Sequence, residues 1–286
     1  MNLTQHKNTI QWLAPAKLNL FLHITSQRAD GYHCLQTIFQ FIDYNDTLYF
    51  DVRNDEQLSC EYDAINLSPN QDLVLRAARL LKQYSGTSLG VDIRVEKKIP
   101  MGGGLGGGSS DAATTLLALN YLWQLQLSDA TLAQLGLSLG ADVPVFVQGH
   151  TAWAEGVGES LTPIDIEEPW YLVIHPGCHV STAEIFLAKG LTRNTLPITM
   201  TDFLANQSKN VCEAVVRSQY PQIGQAIDWL SHFSPARLTG TGACLFAPFK
   251  NQTLAESVLA KLPKQWNGFV ARGKNISPAL KPFTNT

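Results

Sequence analysis

The sequence is short of charge, has few thiols and contains no long apolar run. Charged residues make up 16% of the 286 positions, and 24 acids against 21 bases leave a formal net charge of −3. The broad basic surface of a nucleic-acid binder cannot be built from this composition, so an anionic ligand must be met by local donors. The longest apolar candidate, Val143-Pro144-Val145-Phe146-Val147, is strand-sized. It falls far short of the ~18 residues that mark a membrane span, so no membrane partner is expected. The start, Met1-Asn2-Leu3-Thr4-Gln5-His6-Lys7, is polar and no apolar h-region follows, so no signal peptide is expected. Five cysteines (Cys34, Cys60, Cys178, Cys212 and Cys244) are scattered, without a Cys-x-x-Cys pair. An odd, dispersed set fits reduced, core-filling thiols in a cytoplasmic protein better than a disulfide framework.

What is present is a globular composition, 45% apolar, long enough for two domains. In the first half, Ile10 to Pro15 and Lys17 to Ile24 read as strands, and Arg28-Ala29-Asp30-Gly31 as a turn. Thr37 to Ile42 and Asp46 to Val52 read as two further strands, and Leu73 to Tyr84 as an amphipathic helix. Val91 to Lys97 alternates strictly, the pattern of an antiparallel strand with one wet face. Helices are expected from Ser109 to Leu125 and, capped by Ser128-Asp129, to Leu137. Residues 155–169 look like a transition. Beyond it come a strand from Trp170 to Ile174 and strand-like runs at 236–238 and 243–247. The expected class is α+β, with domains at 1–160 and 161–286.

The segment Pro100-Met101-Gly102-Gly103-Gly104-Leu105-Gly106-Gly107-Gly108-Ser109-Ser110 carries the most information. Removing side chains from a loop lets its N–H groups approach a ligand closely. The run ends where a helix begins, and a helix N-terminus favours phosphate through unpaired N–H groups and the positive end of its dipole. Ser109 and Ser110 add hydroxyls, as donors or as ligands to Mg²⁺. A P-loop is excluded because Gly-Lys-[Ser/Thr] is absent. Gly102, Gly104 and Gly107 satisfy G-x-G-x-x-G, but the half-wet strand before them is not a Rossmann strand. A flexible linker is the plain alternative. Such a linker is not normally bracketed so tightly by a strong strand and a strong helix.

This run resembles the hallmark Pro-x-x-x-Gly-Leu-Gly-Ser-Ser of the GHMP kinases, matched at Pro100 and Gly104-Leu105-Gly106 with drift toward glycine. Two further segments of that family follow the same order: Pro15-Ala16-Lys17-Leu18-Asn19-Leu20, and Thr239-Gly240-Thr241-Gly242-Ala243-Cys244. The likeness is sharpest to the branch acting on 4-diphosphocytidyl-2-C-methyl-D-erythritol, through Arg28-Ala29-Asp30-Gly31-Tyr32-His33 and Gly140-Ala141-Asp142-Val143-Pro144. One departure is Asp72, where the family tends to have Asn.

The resemblance implies a two-domain fold with the active site in the cleft between domains. It implies ATP with Mg²⁺, and a small-molecule acceptor met by a monomer or homodimer. Asp142 would be the base or positioner for the acceptor hydroxyl, with Lys17 pairing its carboxylate. Tyr32, His33 and Phe186 would hold the cytidine end, and Asn19 would hydrogen-bond the substrate. Gly240 and Gly242 would let the second domain's backbone approach the phosphates. Phe186 reads equally as a core aromatic. The alternatives are another GHMP acceptor, of homoserine or mevalonate type, or an ATP-binding sensor that turns nothing over. His175-Pro176-Gly177-Cys178-His179 reads as a strand-end turn, not a metal site.

Overall fold

A computed structural model of the chain describes residues 11–29, 31–63, 68 and 71–283. Ile10 and Asp30 therefore lie outside the described residues.

The N-terminal half is built on a long hairpin of β1 (Trp12–Gln27) and β2 (His33–Arg53). The four short strands expected there are two long ones, because the chain bends without leaving the sheet. Register shifts at Pro15/Ala16, Asn19/Leu22 and Ile24/Ser26 supply the bends, and the first lets a proline sit inside a strand. β3 (Leu58–Tyr62), α1 (Leu73–Ser85) and β4 (Gly90–Glu96) follow. β4 pairs antiparallel with β2, as its alternation predicts, and parallel with β3.

Then come α2 (Gly107–Leu122), α3 (Asp129–Leu137) and α4 (Val143–Gln148). The run read as strand-sized, Val143 to Val147, is the helix α4. Pro144 opens it, Gly149 closes it at φ 67°, and all five apolar residues are buried. Proline at the first turn and glycine at the end outweigh β-branched propensity here. β5 (Ala152–Glu155) and β6 (Ser160–Pro163) form a hairpin whose turn and second strand lie inside the segment read as a transition.

The C-terminal half contains β7 (Trp170–His175), α5 (Thr182–Leu187), α6 (Met200–Leu204), α7 (Glu213–Gln219) and α8 (Pro221–Ser231). It ends with β8 (Arg237–Leu238), β9 (Leu245–Phe249), α9 (Gln252–Leu259), β10 (Asn267–Lys274) and a 3₁₀ turn, Pro278–Phe283. Its sheet, β10-β7-β9-β8, joins the N-terminal sheet where Gly273 and Lys274 pair with Ile42 and Phe41. The fold is α+β with two domains.

β1 explains how the halves are held. Trp12 and Ala14 belong to the core under α1 and α2, while Leu22 and Ile24 belong to the core under α7 and α8. Between them Ala16, Leu18, Leu20 and Phe21 fill a third core with Tyr171, Val173 and Phe246. A strand buried on both faces in this way aims few side chains at solvent, and those that stay polar belong to the site. Among the described residues no helix is long and apolar enough to cross a membrane.

Candidate active site

Lys17 and Asn19 lie two residues apart on β1 and so share a face. The Lys17 ammonium is buried and uses its three donors fully. It bonds Asn19 Oδ1 at 2.6 Å and the Gly104 carbonyl at 3.0 Å, and it pairs with Asp142 Oδ2 at 3.2 Å. Asn19 is fixed in turn. Its amide donates to Thr37 Oγ1 at 3.0 Å, and its backbone N–H donates to Thr239 Oγ1 at 2.9 Å. Asp142 stands at the start of α4, makes no side-chain cap bond there, and is one-third exposed. Its carboxylate is therefore held by one cation and left open to the cleft.

The glycine run packs over this pair. Gly104 has φ 75°, and a Cβ there would lie 2.4 Å from the Thr239 carbonyl oxygen. At Gly106, φ 74°, a Cβ would strike the Phe146 ring at 2.8 Å and the Lys17 stem at 3.1 Å. Both conformation and space therefore require glycine at these two positions. Gly106 is also the N-cap of α2 and offers no side chain to cap it, so the first N–H groups of the helix face the cleft without a side-chain partner. The loop is tied to the C-terminal half by Ala243 N–H to Gly102 O at 3.2 Å and Cys244 N–H to Gly103 O at 3.0 Å. Asn210 holds the motif on that side, donating to the Leu238 and Gly240 carbonyls at 2.9 and 2.7 Å.

These groups line one cleft of about 1110 Å³. Pro100 through Ser109 form one wall, with Lys17, Asn19, Asp142 and Gly240 beside them. Tyr32, His33 and Phe186 line its other end. There the His33 and Phe186 rings stack, with centroids 5.2 Å apart and planes 22° from parallel. Burial, and then the Arg193 cation, hold the His33 imidazole below its ordinary range. Ser110 and Gly242 stand behind the wall. Ser110 spends its backbone N–H inside α2, and its buried hydroxyl has no partner among the described residues. His175 to His179 is the turn after β7, where Gly177 N–H donates to His175 Nδ1 at 3.2 Å.

A second, mostly buried cation that sequence reasoning missed lies on the same cleft: Lys97, which bonds Asp46 and, at 2.7 Å, Asp111. Asp46 also accepts from the Ile99 N–H at 2.8 Å and so anchors the strand leading into the loop. Burial raises the Asp111 carboxyl to about 7 against the pull of Lys97. The signal was thin: an acid one residue after the serine pair, and a lysine ending an alternating strand. Arg193 and Thr37 carried no signal at all.

The family model for the GHMP kinases N terminal domain matches residues 72–150, and that for the GHMP kinases C terminal domain matches residues 188–268. The 4-diphosphocytidyl-2-C-methyl-D-erythritol kinase of Alkalilimnicola ehrlichii is 56% identical over 269 residues, 94% of this chain and 92% of the relative. The protein of the same name from Pseudomonas syringae pv. syringae is 57% identical over 264 residues, 92% of this chain and 94% of the relative. A crystal structure of 4-(cytidine 5′-diphospho)-2C-methyl-D-erythritol kinase superposes with TM-score 0.80 at 30% identity, covering 92% of this chain and 99% of that one. The mevalonate kinase of Methanococcus jannaschii, at TM-score 0.66 and 18% identity, shares the fold. With both family models in chain order and relatives this similar along nearly its whole length, the chain belongs to the GHMP kinases, among the 4-diphosphocytidyl-2-C-methyl-D-erythritol kinases.

Proposed function

We propose that the protein transfers the γ-phosphoryl group of ATP to the 2-hydroxyl of 4-diphosphocytidyl-2-C-methyl-D-erythritol, a step of non-mevalonate isoprenoid synthesis. One observation carries the reading: the Lys17–Asp142 pair stands beside the glycine cradle, and a histidine–aromatic stack closes the other end of the same cleft. Phosphoryl transfer asks for positioning and charge stabilisation more than for covalent chemistry. The acceptor hydroxyl sits on Asp142, which takes its proton as the new O–P bond forms. The bond from the γ-phosphorus to the β–γ bridging oxygen breaks, and ADP leaves. Lys17 keeps the carboxylate aimed, with Asn19 and the Gly104 carbonyl fixing the ammonium from two other sides. The bare first turn of α2 and the loop N–H groups meet the phosphates. The working domains divide near residue 160.

The donor set fits a Mg²⁺ ion held chiefly by the nucleotide. The orphaned Ser110 hydroxyl adjoins the cradle, and among the described residues no group of three carboxylate, histidine or cysteine side chains could hold a metal. When bound, the ion neutralises charge on the β- and γ-oxygens. Tyr32, His33 and Phe186 receive the cytosine by stacking and hydrogen bonding, in a cytoplasmic monomer or homodimer.

The test is ADP release from Mg²⁺-ATP, coupled to a readout, with and without 4-diphosphocytidyl-2-C-methyl-D-erythritol. Acceptor-dependent release is expected, and Asp142→Ala should abolish it. Release with homoserine or mevalonate instead, or ATP binding without any turnover, would overturn the reading.

A further inference from the structure

Arg193 lies on the segment after α5, and its side chain is spent on three carbonyls and one ring. It donates to the carbonyls of Leu191 at 3.2 Å, Phe186 at 2.7 Å and Ala188 at 2.9 Å. Its Nε–H donates to His33 Nε2 at 3.1 Å. A guanidinium has donors only, so His33 Nε2 must present its lone pair. The proton of the neutral ring then resides on Nδ1, the less favoured tautomer of a free imidazole. The same arginine holds the carbonyl of Phe186, whose ring stacks on His33. One side chain thus sets both the tautomer of the histidine and the place of its aromatic neighbour.

We propose that Arg193 is a positioning residue for the base end of the cleft, locking His33 neutral and Nδ1-protonated so that its side chain offers a donor to the acceptor edge, N3 and O2, of cytosine. This rests on the function proposed above. A donor at that place suits cytosine and meets a second donor in uracil, whose N3 carries hydrogen. The charge acting on the ring is that of Arg193. The other titratable or charged groups on the surrounding elements are Arg28, Tyr32 and Cys34 in the turn and β2, Glu184 on α5, and Lys189 after it. A protonated His33 would put a hydrogen on Nε2 against the guanidinium, so the contact itself disfavours the charged ring.

The experiment measures KM for 4-diphosphocytidyl-2-C-methyl-D-erythritol and for ATP across about pH 5.5 to 8, in wild type, Arg193→Met and Arg193→Gln. The acceptor KM of wild type should change less with pH than that of Arg193→Met, because burial and the Arg193 contact hold the ring below its ordinary range. Arg193→Met should raise that KM about three- to tenfold at pH 8, the loss of one hydrogen bond, with kcat and the ATP KM little changed. Its deficit should shrink as pH falls, because protonation restores a hydrogen to Nδ1. Arg193→Gln keeps a neutral donor for Nε2 and should recover most of the affinity. Equal, pH-independent losses in both variants, or no loss in Arg193→Met, would overturn the proposal. If wild type does not turn over this acceptor, the assigned reaction fails. The Arg193 proposal is then judged by calorimetric affinity for cytidine 5′-diphosphate in the same three proteins. Ring ¹⁵N shifts of wild-type His33, assigned with His33→Gln, test the tautomer even if Arg193→Met does not fold. An Nε2–H ring would overturn it.

Discussion

Two lysines flank the glycine loop, and they differ in what their carboxylates are free to do. The Lys17 and Lys97 side chains are 4% and 10% exposed, and each ends on acid. The partner of Lys17, Asp142, is 34% exposed and caps nothing, whereas the partners of Lys97, Asp46 and Asp111, are 0% and 4% exposed. One arrangement encloses the cation and opens the anion to the cleft. The other buries both of its acids, and its Asp46 is bonded to backbone N–H groups as well. An ion pair that serves chemistry must leave a lone pair for the reactant. An ion pair that serves architecture keeps its acids buried, here with Asp111 Oδ1 left without a partner among the described residues.

Removing the open carboxylate should cost the most rate and the least stability. Asp142→Asn keeps size and is expected to lower kcat by about 10²- to 10⁴-fold, with the urea midpoint close to wild type. Removing the enclosed cation should do the reverse. Lys97→Met strands two buried carboxylates and is expected to cost about 3–5 kcal/mol of stability by urea titration. A variant at either position that moved rate and stability together would erase the distinction.

That distinction was only half legible in the sequence. Lys17 and Asp142 were legible because they fall inside two segments, 15–20 and 140–144, that resemble the GHMP kinases. Asp46, Lys97 and Asp111 are 51 and 14 residues apart along the chain, and meet only because β2 and β4 pair and α2 packs across them. The glycine run was readable because it needs backbone conformations that few residues adopt. α4 was not, since five buried apolar residues look alike in strand and helix until their neighbours are placed. Arg193 was invisible for a similar reason: its partners are mostly carbonyls, which any sequence supplies.

A finer test uses Asp111 itself. Its carboxyl, raised by burial to about 7, holds a proton more tightly in the fold than in the unfolded chain, where the ordinary value is ~3.9. Its stabilising contribution is therefore complete below about pH 3.9 and is lost as pH rises through about 7. Asp111→Asn removes that titration. Relative to wild type the variant should gain stability as pH rises from about 4 to 7, because both side chains are neutral at the acid end and only wild type must then ionise a buried carboxyl. A flat difference across that range would place Asp111 with the freely ionised carboxylates.

The smallest effect belongs to a third enclosed carboxylate, Asp72, which pairs with no cation among the described residues. It is 2% exposed, and Oδ1 accepts from the Val74 and Leu75 N–H groups at 2.9 and 3.1 Å and from the Tyr62 hydroxyl at 2.7 Å. As the N-cap of α1 it meets the positive end of the helix dipole. All three bonds reach one oxygen, and an amide oxygen accepts them equally well. Asp72→Asn should therefore change stability by less than about 0.5 kcal/mol, because Asn and Asp cap alike, while Asp72→Ala should cost about 1 kcal/mol or more. Were the Asn variant as weak as the Ala variant, the charge would be what matters here. Enclosure by hydrogen-bond donors alone would then not suffice for a buried carboxylate, and Lys97 would be needed at Asp46 and Asp111 for its charge and not only for its hydrogens.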